Sequence, residues 1–380
     1  MIGFYALFTL LCLSSARAGT SVHKNLSRLW DRADVIILDA YGVIWNGKNF
    51  YENSKELMRD MMRSGKLVYI LSNATQLSSE SVESFRNKEG GGITPGVHYH
   101  RLITSGDFVR SILLDGKLKF KSKSDPKYVY VLGIPNKTLF KGTKYVQVDA
   151  PEKADFVYVS VPKLNEEQFN SYPHREYLRE STSHSHGNPD RTWNSIAMDP
   201  FIADLKKFRE LGLPMLSANP DLTAEEAVSG SSERQFVVRQ GAIVREYRKM
   251  GGEAVEFGKP DTGIYRIVFD DIRSRNVKVN KSRVLMVGDT IATDIRGAQS
   301  AGIKSCLCTE TGVTSNEIHK KLEQVVSELN RKQVEHSNRE KKIMQAKSRI
   351  LRELLKRERT KVNYLIEGLS IGYTSPYRGR

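Results

Sequence analysis

Residues Asp34–Gly47 read DVIILDAYGVIWNG: an apolar, β-branched run that stops at Asp39, with Tyr41 two places further on and Gly42 after it. Val35–Leu38 shows no polar alternation, which predicts a strand covered on both faces, as in a parallel α/β sheet. An aspartate after such a strand stands at its carboxyl end, the edge where open α/β sheets hold ligands.

Outward from this stretch, strand-like and helix-like segments alternate, which argues α/β with a mostly parallel sheet. NSKELMRDMMRSGK (residues 53–66) is a helix with a capping box expected from Asn53 and Glu56 and a stop at Gly65. Residues 67–71 (LVYIL) and 284–288 (VLMVG) are the next core strands, and SCLC (305–308) and NYLIEGL (363–369) complete the sheet. Between residues 71 and 284 lies a long stretch with strands of its own: YVYVLG (128–133), ADFVYVSV (154–161) and PMLSANPD (214–221). A second α/β unit inserted into the first accounts for it. Turn-rich NKEGGGITPG (87–96) and SGSSERQ (229–235) are the expected hinges. The expected organisation is a core over 19–86 and 233–314, an insert over 87–232, a basic helical segment over 315–361, and a last strand with tail over 362–380.

At 380 residues the chain can bury a large core, and 27% charged with 39% hydrophobic residues suits a globular protein. The net charge of +15 is uneven: residues 316–380 hold 16 Lys/Arg against 8 Glu and no Asp. Such a segment suits a polyanion or equally a solvated helix face. No aromatic residue interleaves it before Tyr364, so no nucleic-acid partner is indicated. Leu322, Val326 and Leu329 share one helical face and Ile343, Ile350 and Leu354 another, without the sustained heptad of a coiled coil. These helices are expected to pack by one edge on the core or to project from it.

The N-terminus, MIGFYALFTLLCLSSARAGT, resembles a secretory signal with cleavage after Ala18, although a positive n-region is missing. Entry to the secretory pathway is the expectation, with a cytoplasmic chain as the alternative and no transmembrane span in the mature chain. Cys306 and Cys308 would remain, pointing to opposite faces of one strand, which argues against a disulfide between them. Sequons stand at Asn25, Asn73, Asn136 and Asn280. His184 and His186 have no further ligand at readable spacing and read as part of a solvated loop.

Four stretches carry chemistry. Asp39 ends the first strand, and ILSNAT (70–75) ends the next with Ser72 and Asn73. FGKPDTGIY (257–265) offers Lys259 ahead of a helix, and VLMVGDTIATDIRGA (284–298) ends a strand at Asp289 with Asp294 following. A carboxylate, a hydroxyl, a lysine and two further acids at strand ends suit phosphoryl transfer: the hydroxyl and ammonium hold the phosphate, Mg²⁺ offsets charge, and an aspartate attacks.

Together these stretches resemble the haloacid dehalogenase-like hydrolase superfamily, in the class with a large α/β cap inserted between the second and third motifs (nitrophenylphosphatase and NagD-like). LDAYGVIWNG resembles its first motif, LSNAT the second, GKP the third and GDTIATDIRGA the fourth, while ITSGDFVRSIL and LSANPD resemble landmarks of that cap class. The resemblance implies a Rossmann-like parallel-sheet core with a large inserted α/β cap. It implies that Asp39 forms an aspartyl-phosphate, that Ser72, Asn73 and Lys259 bind the phosphoryl group, and that Mg²⁺ is held by Asp39, Asp289 and the backbone carbonyl of Tyr41 with Asp294 orienting them. It also implies a small phosphate ester as substrate, chosen by a cap loop near DLTAE (221–225), and leaves room for a homodimer through the cap.

Tyr41 departs from the pattern. Phosphatases of the superfamily carry there a second aspartate that protonates the leaving oxygen and activates water, work worth about a hundredfold. A free phenol, titrating near 10, is a poor substitute at neutral pH. The expected function is therefore a Mg²⁺-dependent phosphoric monoester hydrolase with weakened acid/base catalysis. Alternatives are a phosphate-binding regulatory protein without turnover, and a 2-haloacid dehalogenase, in which Asp-x-Tyr-Gly also occurs but from which the large cap and the Gly-Asp pair are missing.

Overall fold

The computed structural model describes residues 21–88, 91–134, 138–180, 191–227, 234–332 and 336–377. The signal-like segment 1–18, His184, His186, Asn136 and most of the turn-rich stretch 229–235 lie outside these residues. The chain forms two compact units, one of Met1–Leu71, Ile93–Arg101 and Phe269–Arg380, the other of Ser72–Gly92 and Leu102–Val268. An α/β architecture with a parallel core sheet is thus found, as the alternating segments predict.

In the first unit the strands run in the order Ser21–His23, Tyr364–Ile366, Lys304–Cys308, Val284–Gly288, Val35–Leu38, Leu67–Ser72, every neighbouring pair parallel. Val35–Leu38 is covered on both faces, none of its side chains more than 2% exposed, which explains its unbroken apolar sequence. The chain leaves this strand toward Leu67–Ser72 on one side and returns at Val284–Gly288 on the other. A switch point therefore lies beside it, where crossovers diverge and open a crevice. Register then fixes the chemistry: Leu38 pairs with Val287, so Asp39 lies alongside Gly288 and Asp289 follows one residue on.

The Ser54–Arg63 helix buries Leu57, Met58 and Met61. Its expected capping box does not form. Asn53 has φ 60°, in the left-handed region, and makes no side-chain cap bond, because capping needs an extended residue there. The Ser54 hydroxyl donates to the Tyr51 carbonyl at 2.7 Å instead. Gly65 ends the helix with φ 74°, as its position suggests.

The basic segment folds as two helices, Gly312–Arg331 and His336–Arg357. Ile318 and Leu322 of the first, with Ala346, Ile350, Leu351 and Leu354 of the second, bury against Ile291, Ile295, Leu307 and Leu365. At roughly 1.5–3 kcal/mol per buried large aliphatic side chain, this apolar stripe outweighs the repulsion among outward-facing Lys341, Lys342, Arg349, Arg352 and Lys356. The helices are packed rather than projecting.

The second unit holds its own parallel sheet, Ala254–Glu256, Met215–Ser217, Phe156–Val159, Tyr128–Leu132, Val146–Val148. Because Ala254–Glu256 pairs with Met215–Ser217, the chain stays in this unit well past residue 233, where the turn-rich stretch suggested a return to the core. Residues 221–225, read as a loop, run into the strand Thr223–Ala227, which pairs antiparallel with Arg234–Val238. Among the described residues no helix is long and apolar enough to cross a membrane.

Candidate active site

The first unit gathers three acids. Asp39, Asp289 and Asp294 each offer a carboxylate oxygen within 4.8 Å of the others. Parallel pairing delivers the first two, since the Asp39 N–H donates to the Val287 carbonyl at 2.9 Å. Asp294 arrives through a π-helical turn, Ile291–Ile295, an irregularity often found at functional sites. That turn swings its carboxylate back so that Oδ2 accepts the N–H of Asp289 at 3.1 Å and of Thr290 at 3.0 Å. Asp294 is wholly buried and Asp289 3% exposed. Asp294 thus pins the turn that presents Asp289.

Asp289 is held from a second side. The N–H of Val313 donates to Asp289 Oδ2 at 2.6 Å, and that of Thr314 to its main-chain carbonyl at 3.2 Å. The Thr311 hydroxyl donates to the Gly42 carbonyl at 2.6 Å, joining this loop to the turn after Asp39. Gly42 (φ 75°) and Gly312 (φ 72°) press so closely on Asp289 that a Cβ on either would overlap its carboxylate. Three acids so close repel one another strongly unless a cation lies among them. Hard oxygen ligands of this kind fit Mg²⁺. Burial first, and then the charges of Cys306 and Asp289, push the Cys308 thiol well above its ordinary range.

The second unit prepares a different group. Ser72 ends the Leu67–Ser72 strand, and its Oγ accepts the Ala74 N–H at 3.2 Å. The Asn73 carboxamide is fully engaged: Oδ1 accepts the Lys259 N–H at 2.8 Å and the Ser105 hydroxyl at 3.1 Å. Its Nδ2 donates to Asp221 Oδ1 at 3.1 Å and to the Lys259 carbonyl at 3.2 Å. Asn73 therefore fixes Lys259, which is 1% exposed. Gly258 (φ 118°) lies against Ser105 Oγ and Asn73 Oδ1, where no side chain fits. Burial of Asn73 also removes its sequon from glycosylation.

Asp39, Asp289 and Asp294 are thus brought together in one unit, and Ser72, Asn73 and Lys259 belong to the other. Tyr41 is 42% exposed, a phenol open to solvent two residues after Asp39. Sequence reading passed over Thr311, Gly312 and Val313, although a glycine between a core strand and a helix was a usable signal. Ser105 was read only within ITSGDFVRSIL, a landmark of the cap class, and was given no role; Thr104 and Asp107 form a capping box there.

Residues 36–138 match the family model described as haloacid dehalogenase-like hydrolase, and residues 256–331 match the related HAD-hydrolase-like model. The chain is 26% identical over 301 residues to phosphoglycolate phosphatase 2 of Arabidopsis thaliana, covering 77% of this chain and 87% of that protein. It is 25% identical over 293 residues to human glycerol-3-phosphate phosphatase, covering 74% and 80%. Among solved structures, a hydrolase of the haloacid dehalogenase-like family from Brucella suis superposes with a TM-score of 0.60 at 23% identity, over 77% of this chain and 90% of that one. This last likeness supports the fold.

Proposed function

We propose that the chain, which matches haloacid dehalogenase-like hydrolase models over residues 36–138 and 256–331, is a divalent-metal-dependent phosphatase of small phosphorylated metabolites. The observation that carries the reading is the meeting of Asp39, Asp289 and Asp294 at the carboxyl edge of a parallel sheet. The matched relatives, named as phosphatases of phosphoglycolate and of glycerol 3-phosphate, support the substrate class.

In this reading an Asp39 carboxylate oxygen attacks phosphorus as the bond to the ester oxygen breaks, leaving an acyl phosphate on Asp39 and an alkoxide that needs a proton. Water then attacks phosphorus, releasing inorganic phosphate and restoring the carboxylate. Mg²⁺, held by Asp39, Asp289 and the Tyr41 carbonyl, would offset charge between phosphate and carboxylates. Asp294 keeps Asp289 aimed through the bonds it accepts from Asp289 and Thr290. Lys259 and Ser72 hold phosphoryl oxygens, and Asn73 contributes its main-chain N–H while its side chain locks Lys259. Tyr41 is a weak acid for the alkoxide, so esters with good leaving groups should react best.

The test is phosphate release from p-nitrophenyl phosphate, phosphoglycolate and glycerol 3-phosphate, with and without Mg²⁺. Metal-dependent turnover that Asp39→Asn abolishes supports the proposal, and no turnover on any ester sinks it. Tyr41 favours one rival, a phosphate-binding protein without catalysis. That rival predicts stabilisation by a phosphate analogue with no turnover, whereas halide release insensitive to EDTA would mark a dehalogenase.

A further inference from the structure

The His336–Arg357 helix lies beyond both stretches that match the family models, between the Gly312–Arg331 helix and the last strand, Tyr364–Ile366. Its apolar stripe accounts for its packing, but not for Lys347, which is only 13% exposed and pairs with Glu310. Glu310 opens the loop that holds Asp289. One residue on, Thr311 bonds Gly42, and three residues on, Val313 donates to Asp289 Oδ2.

We propose that Lys347 is a positioning residue for the metal-binding carboxylate of Asp289, acting through Glu310 and the stretch from Thr309 to Thr314 that leads into the Gly312–Arg331 helix. The inference rests on the metal-site reading above. Its physical basis is the crowding of two carboxylates at the base of the loop. The Glu310 N–H donates to the Glu367 carbonyl at 2.8 Å, so both side chains leave the same main-chain junction. Burial, and then the charge of Glu310, holds the Glu367 carboxyl above its ordinary range, while Lys24 and Lys347 act in the opposite sense. Without Lys347 the two acids oppose each other across that junction, and the strain falls on the short path to Val313. Exposed ion pairs are worth little; this one is largely shielded and braces a loop in direct contact with the site. A second pair, Arg357 to Glu317 at 2.5 and 3.2 Å, ties the same helix to the early turns of Gly312–Arg331.

The test uses the full chain and Mn²⁺ as probe, with affinity read by electron paramagnetic resonance and by metal-dependent thermal stabilisation. Lys347→Met should weaken Mn²⁺ binding roughly three- to tenfold, less than the tenfold to hundredfold typical of groups touching a ligand directly. Lys347→Arg should restore it. Adding Glu310→Gln to Lys347→Met should also recover affinity by removing the opposed charge. Arg349→Ala, on the exposed face of the same helix and paired only loosely with Glu353, should leave binding unchanged. In turnover the activating metal concentration should rise while kcat at saturating metal is kept. Wild-type affinity in Lys347→Met, or equal losses in Lys347→Met and Arg349→Ala, would overturn the inference alone. Failure of the wild type to bind Mn²⁺ in a way that Asp289→Asn removes would overturn it together with the metal-site reading.

Discussion

Asn73 Oδ1 accepts the main-chain N–H of Lys259 at 2.8 Å, while Asn73 Nδ2 donates to the carbonyl of the same lysine at 3.2 Å. A buried carboxamide thus closes a two-point clamp on the residue whose ammonium is expected to meet phosphate. Asn73→Ala leaves buried donors and acceptors unsatisfied and should lower stability by about 2–4 kcal/mol, with a loss of kcat/KM beyond that of a merely less stable enzyme. Urea unfolding and kinetics at low temperature separate the two effects. Wild-type stability in the variant would show the clamp to be idle.

Gly42 and Gly65 provide a contrast. Both have positive φ, 75° and 74°, but a Cβ on Gly42 would overlap the Asp289 carboxylate, whereas one on Gly65 meets nothing within 4 Å. Gly65→Ala should cost only about 1 kcal/mol of backbone strain and leave metal uptake intact. Gly42→Ala should abolish metal-dependent stabilisation even where the protein folds. Calorimetric titration with Mg²⁺ compares them, and equal affinities would remove Gly42 from the site.

Tyr41→Asp supplies a carboxyl where the leaving oxygen needs a proton. Turnover of an alkyl phosphate such as glycerol 3-phosphate should rise about a hundredfold, with far less change for p-nitrophenyl phosphate, whose leaving group needs little help. Tyr41→Phe should change neither much. A Tyr41→Asp enzyme no faster on the alkyl ester would mean that the phenol is not the limiting defect.

Chelation is a separate check on the acid cluster. EDTA should stop phosphate release and lower the melting temperature, and added Mg²⁺ should restore both, because a ligand bound only by the folded state stabilises it. Asp289→Asn should remove the response to metal, and a persistent response would place the ion elsewhere.

His98 sets a pH dependence. Burial first, and the Arg59 guanidinium second, hold its imidazole down at about 4, and its Nδ1 accepts the Thr94 N–H at 3.1 Å. Above about pH 6.5 the ring is neutral whether the chain is folded or not, and it contributes no slope. As pH falls from 6.5 toward 4 the unfolded chain takes up the proton and the folded chain does not, so stability is lost through that window. His98→Asn should flatten the fall between pH 6.5 and 4, measured by urea unfolding at a series of pH values. Parallel curves for wild type and variant would exclude this role.

The core strands were legible because burial on both faces demands a signature no other element needs, and VIIL and VLMVG carry it. The sequence placed Asp39 and Asp289 each at a strand end; their partnership was what the family resemblance implied, and the register Leu38↔Val287 sets the two strand ends side by side. The basic helical segment was half legible: its apolar stripe shows in the spacing of Leu322, Ile350 and Leu354, but its docking on Ile291 and Leu365 does not.

What local sequence determined is the set of strands, the acids at their ends and the glycines before and after them, since these depend on burial and backbone conformation within a few residues. Tertiary structure alone decided the rest. Asn53 could have capped a helix and instead turned left-handed. The π-helical turn aimed Asp294 at the amides of Asp289 and Thr290. Residues 221–225 found a partner strand, and Asn73 was spent on Lys259 rather than left for a ligand. Each outcome depends on a partner remote in the chain, or on geometry imposed by packing, and hydrogen bonds of that kind leave no period or spacing in the sequence to be read.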